Sequence, residues 1–403
     1  GQRRQLLHRR RLDGALDSRQ SLVFGGCQMK LLAAASVAVL SIFGDDPSSR
    51  EEVLQGAEIA APGDTAPLEA WLSAHAAATA AERRPVLTAL CDAYGRVGRY
   101  RDAHQACASS AGDAPSTGLQ QSIAFWATLA GEPPVSVTGA VDAPLTYGWS
   151  GLAELSTWVN GHDIAWAVDT GAEISVISDS QAERMGARLL DRPVGITGST
   201  PGEAVGRLGM IDQIRVGSAE IRNMPVFVLP DAALTVPDKG PLPPILGMPA
   251  IYVFGSMTFR EHGNRLQLGA SENDGLAGSP LKWNPVGFEM VLDLPGGPID
   301  VHLDSGANAT ELHDASARPL LSQAQQAALV SRSLTARGVS GAVVRETRQL
   351  DGLAVGIGGG VCQLGEVAFG DEQAGAQGRA GIDLVKGCDT LELNFRTMRV
   401  IAR

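Results

Sequence analysis

The chain contains two similar stretches, AWAVDTGAEISVI at residues 165–177 and IDVHLDSGANAT at residues 299–310. Each is an apolar, strand-like run that ends in Asp-Thr/Ser-Gly-Ala, with the aspartates at positions 169 and 304. A single Asp-Thr/Ser-Gly tripeptide is expected by chance roughly once in every few chains of this length. Either copy alone is therefore a weak signal. The pair, in the same local context, indicates a repeated functional element.

A second landmark repeats with the first. An apolar segment containing Gly247 follows Asp169 by 78 residues, and one containing Gly381 follows Asp304 by 77 residues. A predicted terminal strand then follows in each half, at residues 265–268 and 390–395. The matching separations predict a duplicated unit of about 125–135 residues.

Composition limits the class of protein. The chain has 403 residues, of which 44% are apolar and 19% charged, so it is long enough for two or three domains and too apolar to be disordered. Its 48 glycines and 22 prolines favour strands joined by tight turns. The formal net charge of −11 argues against a nucleic-acid partner, because neutralising phosphates needs a clustered basic surface.

The pattern after residue 132 is that of short strands. Apolar residues alternate in runs that are separated by glycine and proline. The clearest predicted strands are residues 164–168, 211–216, 224–229, 290–294 and 299–303. Residues 269–280 are polar and small, which predicts a linker between the two halves, and residues 315–336 carry the one longer helical pattern in the second half.

Residues 46–131 form a predicted helical region. Its composition is rich in alanine, and its apolar residues recur at helical spacing. One tetratricopeptide-like helix pair is indicated by Leu90, Tyr94, Gly98, Tyr100, Ala103 and Ala106. About three such units are needed for a self-supporting array. The region is therefore either a docking surface for a protein partner or a helical cap for the domain that follows.

The N-terminal residues 1–45 are excluded from the predicted fold. An arginine-rich stretch precedes Met29 and Lys30, and an uninterrupted small and apolar run occupies residues 31–44. A positive start and an apolar centre are typical of a secretory signal peptide. An uncleaved membrane anchor and a short buried helix remain alternatives. The leader predicts an exported protein, periplasmic or secreted. The scarcity of lysine among the basic residues is what a high-GC bacterial coding source would give.

Cysteine usage fits export. Beyond the leader the chain has Cys91 and Cys107 in the helical region and Cys362 and Cys388 in the second half. Two local disulfides in an oxidising compartment and four buried thiols are the alternatives. Neither pair has metal-ligand spacing and no histidines cluster with them, so we predict no metal site and no cofactor.

The two Asp-Thr/Ser-Gly loops, each followed by an apolar-apolar-Gly element, make the chain from residue 135 onward resemble the pepsin and retropepsin-like aspartic proteases. The alanine after each loop glycine is similar to retropepsins, and two lobes in one chain are similar to pepsins. The resemblance implies a mainly β, two-lobed pepsin-like pseudo-dimer of β-barrel-like lobes. The predicted lobes are residues 132–279 and 280–403, preceded by the helical region.

Two facing carboxyl groups explain the chemistry that such a fold would perform. They cannot readily ionise together, so they share one proton. The ionised member can take a proton from water while the protonated member donates to the peptide carbonyl, with no metal or covalent intermediate. The sequence thus predicts an aspartic endopeptidase that binds an extended peptide, with Asp169 and Asp304 as catalytic residues. The proton is assigned to neither, because the pair titrates as a unit.

Residues beside the aspartates are predicted to support the pair. Gly171 and Gly306 allow the tight loop that turns backbone N–H groups toward the carboxylates. The resemblance implies that the hydroxyls of Thr170 and Ser305 form hydrogen bonds across the lobe interface and fix the separation of the carboxylates.

Two further pairs follow from the repeat. Ala172 and Ala307 carry no hydroxyl that could donate to a carboxylate, which predicts activity at mildly rather than strongly acidic pH. The resemblance gives Gly247 and Gly381 a structural role in the apolar-apolar-Gly elements.

The resemblance also implies a hairpin flap over the substrate cleft in each lobe. The first-lobe candidate is residues 193–207 and the weaker second-lobe candidate is residues 338–345. The residues assigned to the flaps are Gly195, Ile196, Thr197, Gly198, Gly338 and Val339. An ordinary mobile hairpin is the alternative interpretation.

The sequence departs from the family pattern at two positions. Pro249 replaces the polar residue expected after Leu-Gly-Met, whereas Asp383 keeps it in the second half. Arg379 stands where an apolar residue usually precedes Gly381, so its charge must be solvated or paired, or the packing there is loose. The alternative function is a catalytically silent peptide-binding or scaffold protein. Two facing acids argue against it, because holding them together costs electrostatic energy.

Overall fold

The computed structural model describes residues 49–197, 203–271, 278–284, 287–338, 341–371 and 376–403. Over these ranges the chain is a mainly β, two-lobed pepsin-like fold preceded by α-helices, which confirms the predicted fold class. The predicted leader, residues 1–45, lies outside the described residues. In the described ranges, no helix has both the length and the apolar character needed to cross a membrane.

The helical region begins at Ser49, whose side chain caps the first helix. Its helices are α1 (Arg50–Glu58), α2 (Ala66–Ala74), α3 (Ala80–Arg96), α4 (Tyr100–Ser110) and α5 (Thr117–Leu129). Gly98 takes a left-handed φ of 75°, which lets the chain reverse between α3 and α4 as predicted. Cys91 and Cys107 form a disulfide between these two helices. Membership of this pair in the tetratricopeptide class remains a prediction.

The helices pack onto the β domain. Tyr100, Phe125 and Leu129 belong to an apolar cluster that continues into the first half of the sheet region. The indole N–H of Trp283, in the second half, donates to the Ala60 carbonyl at 2.7 Å. The guanidinium of Arg96 lies 3.9 Å from the Trp283 ring centroid. These contacts favour the interpretation of the region as a cap.

The first lobe consists of strands of 2 to 14 residues and two helices of two turns each. Buried and exposed side chains alternate along strands such as 153–159, as the period of two predicts. The elements are β1 (Ser136–Thr138), β2 (Val141–Tyr147), β3 (Ala153–Val159), β4 (His162–Val168), β5 (Ser175–Ser178), α6 (Asp179–Met185), β6 (Arg188–Thr197), β7 (Glu203–Val216), β8 (Ala219–Leu229), a 3₁₀ turn (Asp231–Leu234), β9 (Thr235–Val236), β10 (Gly240–Pro241), β11 (Ile245–Leu246), α7 (Met248–Phe254), β12 (Ser256–Arg260) and β13 (Arg265–Leu268).

The second lobe repeats this order with longer hairpins. Its elements are β14 (Ser279–Asn284), β15 (Gly287–Leu294), β16 (Gly297–Leu303), β17 (Glu311–His313), α8 (Asp314–Ala317), a 3₁₀ turn (Arg318–Leu320), α9 (Gln323–Ala327), β18 (Val330–Gly338), β19 (Gly341–Ile357), β20 (Gly360–Gly370), β21 (Gly378–Ala380), α10 (Ile382–Gly387), β22 (Thr390–Asn394) and β23 (Arg399–Ala402). The strands predicted at 164–168, 211–216, 224–229, 290–294 and 299–303 lie within β4, β7, β8, β15 and β16.

The predicted helix at 315–336 is wrong. The chain instead forms the short helices α8 and α9, which flank a 3₁₀ turn, and then the strand β18. Pro319 lies in the 3₁₀ turn, where it has no N–H to continue a helix, and Ser322 caps a new helix at once. The predicted linker at 269–280 is partly outside the described residues, and Pro280 belongs to β14.

A shared antiparallel sheet joins the lobes. Its strand order is β2, β13, β12, β22, β23 and β14. The central pair is β12 of the first lobe and β22 of the second, in register from Ser256 opposite Asn394 to Arg260 opposite Thr390. This sheet and the apolar core beneath it set the orientation of one lobe to the other.

The disulfide between Cys362 and Cys388 ties β20 to the end of α10, and the two residues are 26 positions apart. Closing a loop of that length restricts the unfolded chain, so we expect its loss to cost about 3.5 kcal/mol of unfolding free energy. The measurement is urea unfolding with and without reductant. It is made in a Cys91→Ala/Cys107→Ala background, which isolates this bond. An unchanged midpoint on reduction would contradict the prediction.

Candidate active site

The two aspartates of the repeated loops each follow a buried strand. Asp169 comes directly after β4 and Asp304 directly after β16, and each strand pairs in parallel with a short strand of the apolar-apolar-Gly element. The Asp169 N–H donates to the Leu246 carbonyl at 3.0 Å, and the Asp304 N–H donates to the Ala380 carbonyl at 2.8 Å. The same backbone scaffold therefore holds both loops.

Gly247 and Gly381 lie against these loops. A Cβ atom on Gly247 would sit 2.6 Å from the Ala172 carbonyl oxygen, and one on Gly381 would sit 2.7 Å from that of Ala307. Real Cβ atoms do not approach backbone so closely, so glycine is required at both positions. Ala172 and Ala307 are themselves fully buried.

The loops are joined across the lobe interface by reciprocal hydrogen bonds. The Thr170 hydroxyl donates to the Leu303 carbonyl at 2.8 Å and accepts from the Ser305 N–H at 3.0 Å. The Ser305 hydroxyl donates to the Val168 carbonyl at 2.8 Å and accepts from the Thr170 N–H at 3.0 Å. Both side chains are fully buried. Each hydroxyl thus satisfies one donor and one acceptor of the opposite lobe.

The carboxyl groups meet at this interface. Asp169 and Asp304 are 1% and 2% exposed. Asp169 Oδ1 accepts a hydrogen bond from the Gly171 N–H of its own loop at 2.8 Å. A Cβ atom on Gly171 would lie 2.7 Å from the Asp304 Cγ, so the Asp304 carboxyl packs directly against the loop of the first lobe. Asp169 Oδ2 and Asp304 Oδ1 are buried, with no hydrogen-bond donor among the described residues.

The surroundings of Asp169 favour its protonated form. Burial raises the pKa of Asp169 well above its usual range, and the negative charge of Asp304 raises it further. Hydrogen bonds from the Gly171 and Gly306 N–H groups oppose this shift without cancelling it. The pair is therefore built to hold a proton at a pH where an exposed carboxyl has lost it.

An ion pair lies beside Asp304. Arg379 Nη1 is 3.7 Å from Asp304 Oδ2, and Arg379 Nη2 is 3.5 Å from Glu311 Oε2. Arg345 on β19 also pairs with Glu311, at 2.5 Å. Of the alternatives that the sequence left for Arg379, the structure has the paired one. Glu311 was not singled out from the sequence. Its position was a usable signal, because Glu311 stands seven residues after Asp304, whereas the apolar Val176 stands seven residues after Asp169.

The flap candidates are both hairpins. In the first, β6 pairs with β7 from Pro193 opposite Arg207 to Thr197 opposite Glu203, and β6 includes Gly195 and the buried Ile196. In the second, β18 pairs with β19 up to Gly338 opposite Gly341. Gly198 and Val339 lie outside the described residues. The covering role of these hairpins remains a prediction.

The residues two positions after the repeated glycines, Pro249 and Asp383, each have a local structural explanation. Pro249 lies in the first turn of α7, where the missing N–H has no helical partner to lose. Asp383 accepts the Thr310 hydroxyl at 2.8 Å, and its burial raises its pKa to about 6. Neither residue contacts the aspartate pair through a hydrogen bond of the described residues.

The helical region reaches the loop that carries Asp169. Glu173 and Ile174, four and five residues after Asp169, line a cavity together with Asp92 and Arg96 of α3 and with Trp126 of α5. Burial raises the pKa of Asp92 to about 7, and the charge of Glu173 adds to the shift. The helices thus form a wall of the region that adjoins the candidate site.

No metal centre is offered by the described ranges, which hold no group of three or more His, Cys, Asp or Glu side chains placed to bind an ion. The chemistry available at the interface is that of the carboxyl pair.

A comparison with known protein families finds a similarity for the first lobe, the one that carries Asp169. The aspartyl protease family model matches residues 155–250, which include the Asp169 loop and Gly247. No curated protein matches the chain. The second loop lies outside the matched range, so its equivalence rests on the internal repeat and on the hydrogen bonds between the lobes. The first lobe is therefore similar to aspartyl proteases.

Solved structures with detectable similarity share little sequence with the chain. Soybean basic 7S globulin is 12% identical with a TM-score of 0.44, covering 66% of this chain and 96% of its own. A retropepsin-like aspartic protease from Rickettsia conorii is 21% identical with a TM-score of 0.24, covering 33% and 92%. The protein described as edgp is 11% identical with a TM-score of 0.39, covering 65% and 94%.

Removing the Thr170 hydroxyl should loosen the lobe interface. Thr170→Val keeps the side-chain shape but leaves the Leu303 carbonyl and the Ser305 N–H buried without partners, at a cost of about 2–4 kcal/mol in unfolding free energy. Thr170→Ser keeps the hydroxyl and should cost less than about 1 kcal/mol. Urea unfolding measures both. Equal losses in the two variants would show that the hydroxyl is not what matters.

Replacing Asp92 should change how stability depends on pH. The folded protein binds the Asp92 proton more tightly than the unfolded chain, so its stabilisation is complete below about pH 4 and is lost as pH rises through about 7. Asp92→Asn should therefore gain about 4 kcal/mol relative to wild type between pH 4 and pH 8. Urea unfolding at both pH values measures this. The exposed Asp113→Asn is the control, and a pH-independent difference for Asp92→Asn would contradict the prediction.

Proposed function

We propose that the protein is an aspartic endopeptidase, which hydrolyses peptide bonds with a water activated between Asp169 and Asp304. The observation that carries the proposal is the reciprocal hydrogen bonding of Thr170 and Ser305. These bonds hold two Asp-Thr/Ser-Gly loops, one from each lobe, with their carboxyl groups buried at one interface. The similarity of residues 155–250 to aspartyl proteases supports the same function.

The chemistry follows from one proton shared by the pair. The ionised carboxylate takes a proton from the bound water, which attacks the peptide carbonyl carbon. The protonated carboxyl donates to the carbonyl oxygen, which gives a tetrahedral diol. When the diol collapses, the C–N bond breaks and the amine nitrogen receives the proton that came from water. The carboxyl that donated its proton takes one back from the diol hydroxyl that becomes the new carbonyl. The raised pKa of Asp169 supports this scheme, because the pair must carry one proton at the working pH.

The proposed substrate is a peptide in an extended conformation. Extended chains bind by pairing their backbone with strand edges. In the described residues β6 pairs only with β7 and β18 only with β19, so each has one edge that a peptide backbone could pair with. We place the working range at mildly acidic pH, because Ala172 and Ala307 bring no hydroxyl donor to the carboxylates.

A catalytically silent peptide-binding protein is the second candidate function. The position of Arg379, 3.7 Å from Asp304, favours it, because a fixed positive charge beside the pair lowers the cost of ionising both carboxyl groups, and a pair without a proton has none to donate. Activity measurements on the aspartate variants separate the two candidates.

Export to a bacterial periplasm or to the medium is also proposed. It is supported by the signal-like residues 29–44 and by the disulfides Cys91–Cys107 and Cys362–Cys388, which persist in oxidising compartments.

For the helical region we propose a role as a cap that shapes the cleft, since it packs on both lobes. Docking of a separate protein partner is the alternative.

Asp169→Asn and Asp304→Asn should each lower peptide cleavage by about 10³-fold or more, because each removes a group that must transfer a proton. The assay uses an unbiased peptide mixture between pH 3 and 7, and a statine-type transition-state mimic should block cleavage by wild type. Asp212→Asn, at an exposed position of β7, is the control and should retain full activity. Cleavage that survives in either aspartate variant would contradict the proposal, and a folded wild type without activity would favour the silent binding protein.

A further inference from the structure

The two lobes differ at one pair of equivalent buried positions. In the first lobe, Ile245 of β11 lies opposite Val176 of β5, and both are apolar. In the second lobe, Arg379 of β21 lies opposite Glu311 of β17 in the same antiparallel pairing. All four residues are less than 9% exposed. The repeat has therefore exchanged an apolar pair for an ion pair at constant burial.

Such an exchange does not improve stability by itself. Moving two charges out of water costs free energy that their mutual attraction seldom recovers, whereas an apolar pair of similar size has no such cost. The first lobe demonstrates that Ile245 and Val176 fit the same backbone arrangement. The reason for the charges must be sought in what they face.

Arg379 faces the candidate catalytic carboxylate. Its Nη1 is 3.7 Å from Asp304 Oδ2 and its Nη2 is 3.5 Å from Glu311 Oε2. Glu311 is also held by Arg345 of β19, so the acidic partner of Arg379 is shared with a second cation. Because Glu311 is already paired, Arg379 has positive charge left to act on Asp304.

The other ionisable groups around Arg379 do not compete for it. The pocket beside Arg379 includes Glu366 of β20, which pairs with Arg332 at 2.9 Å. His302 of β16 is in register with Arg379, and its Nδ1 is bonded to the Phe288 carbonyl at 2.7 Å. Asp383 accepts the Thr310 hydroxyl.

We propose that Arg379 is a positioning residue that holds Asp304 as the ionised member of the pair, so that Asp169 carries the catalytic proton. An opposite charge within about 4–6 Å favours the charged form of a carboxyl. The equivalent position beside Asp169 is Ile245, which has no charge to offer. Burial and the negative charge of Asp304 favour the protonated form of Asp169.

The assignment rests on the proposed function and gives its steps a direction. Asp304 takes the proton from water, and Asp169 donates its proton to the carbonyl oxygen. On collapse, Asp304 returns its proton to the amine nitrogen as the C–N bond breaks, and Asp169 recovers a proton from the diol hydroxyl that becomes the new carbonyl. Both carboxyl groups end in the states in which they began.

The test gives the second lobe the apolar pair of the first, in the variant Glu311→Val/Arg379→Ile. The direct readout is a ¹³C NMR titration of the aspartate carboxyl carbons from pH 3 to 7, assigned with Asp169→Asn and Asp304→Asn. In wild type, Asp304 should stay ionised over a pH range in which Asp169 binds and releases its proton. In the variant, Asp304 should take up a proton within that range. The acidic limb of the kcat/KM profile should shift to higher pH by at least about one pH unit. At a fixed pH on that limb, kcat/KM should then be about tenfold lower than in wild type.

Two further variants separate charge from packing. Arg379→Lys keeps a positive charge, so Asp304 should again stay ionised over the pH range in which Asp169 titrates. This variant can be measured even if the double variant does not fold. Arg348→Met removes a half-exposed arginine of the same lobe, which pairs with Asp314 at 3.5 Å, and should leave both titrations unchanged. The proposal is overturned if Asp304 carries the proton in wild type, or if the double variant titrates like wild type. If the titration order is as expected but wild type cleaves no peptide, the proposed function fails and the assignment of the proton stands.

Discussion

The reciprocal hydrogen bonds between Thr170 and Ser305 are the interaction on which the rest of the site depends. They connect loops that are 135 residues apart in sequence and belong to different lobes. Two buried carboxyl groups repel when ionised, so they stay close only if other bonds pay for their proximity. In the four bonds each hydroxyl donates once and accepts once. The shared sheet orients the lobes, and these bonds set the distance between the aspartates.

The duplication supplies a frame in which the differences between the lobes are informative. Both lobes use a strand, an Asp-Thr/Ser-Gly-Ala loop and a glycine that fits against the loop backbone. A hydroxyl six residues after each aspartate, from Ser175 or Thr310, accepts the N–H of that glycine. Against this common scaffold, the ion pair of Arg379 and Glu311 is an asymmetry. It lies beside the carboxyl of Asp304 and has no counterpart beside Asp169 in the described residues. When two carboxyl groups share one proton, such a difference in surroundings favours one of them as its carrier.

The helical region belongs structurally to the β domain. Its apolar residues merge with the first-lobe cluster, and Arg96 and Ala60 contact Trp283 of the second lobe. Asp92 of α3 and Glu173, four residues after Asp169, line one cavity at this junction, and the charge of Glu173 adds to the raised pKa of Asp92.

The sequence by itself determined the features that depend on local pattern: alternating strands, the paired aspartate loops, the glycines after them and the mainly β class. Its prediction of a helix at 315–336 failed because β18 is stabilised by pairing with β19, a tertiary contact that overrides apolar spacing. The partner of Arg379 also escaped prediction, since Glu311 is 68 residues away and is brought opposite it only by strand register. The choice between thiols and disulfides likewise depends on the spacing of side chains in the folded chain, which local sequence does not specify.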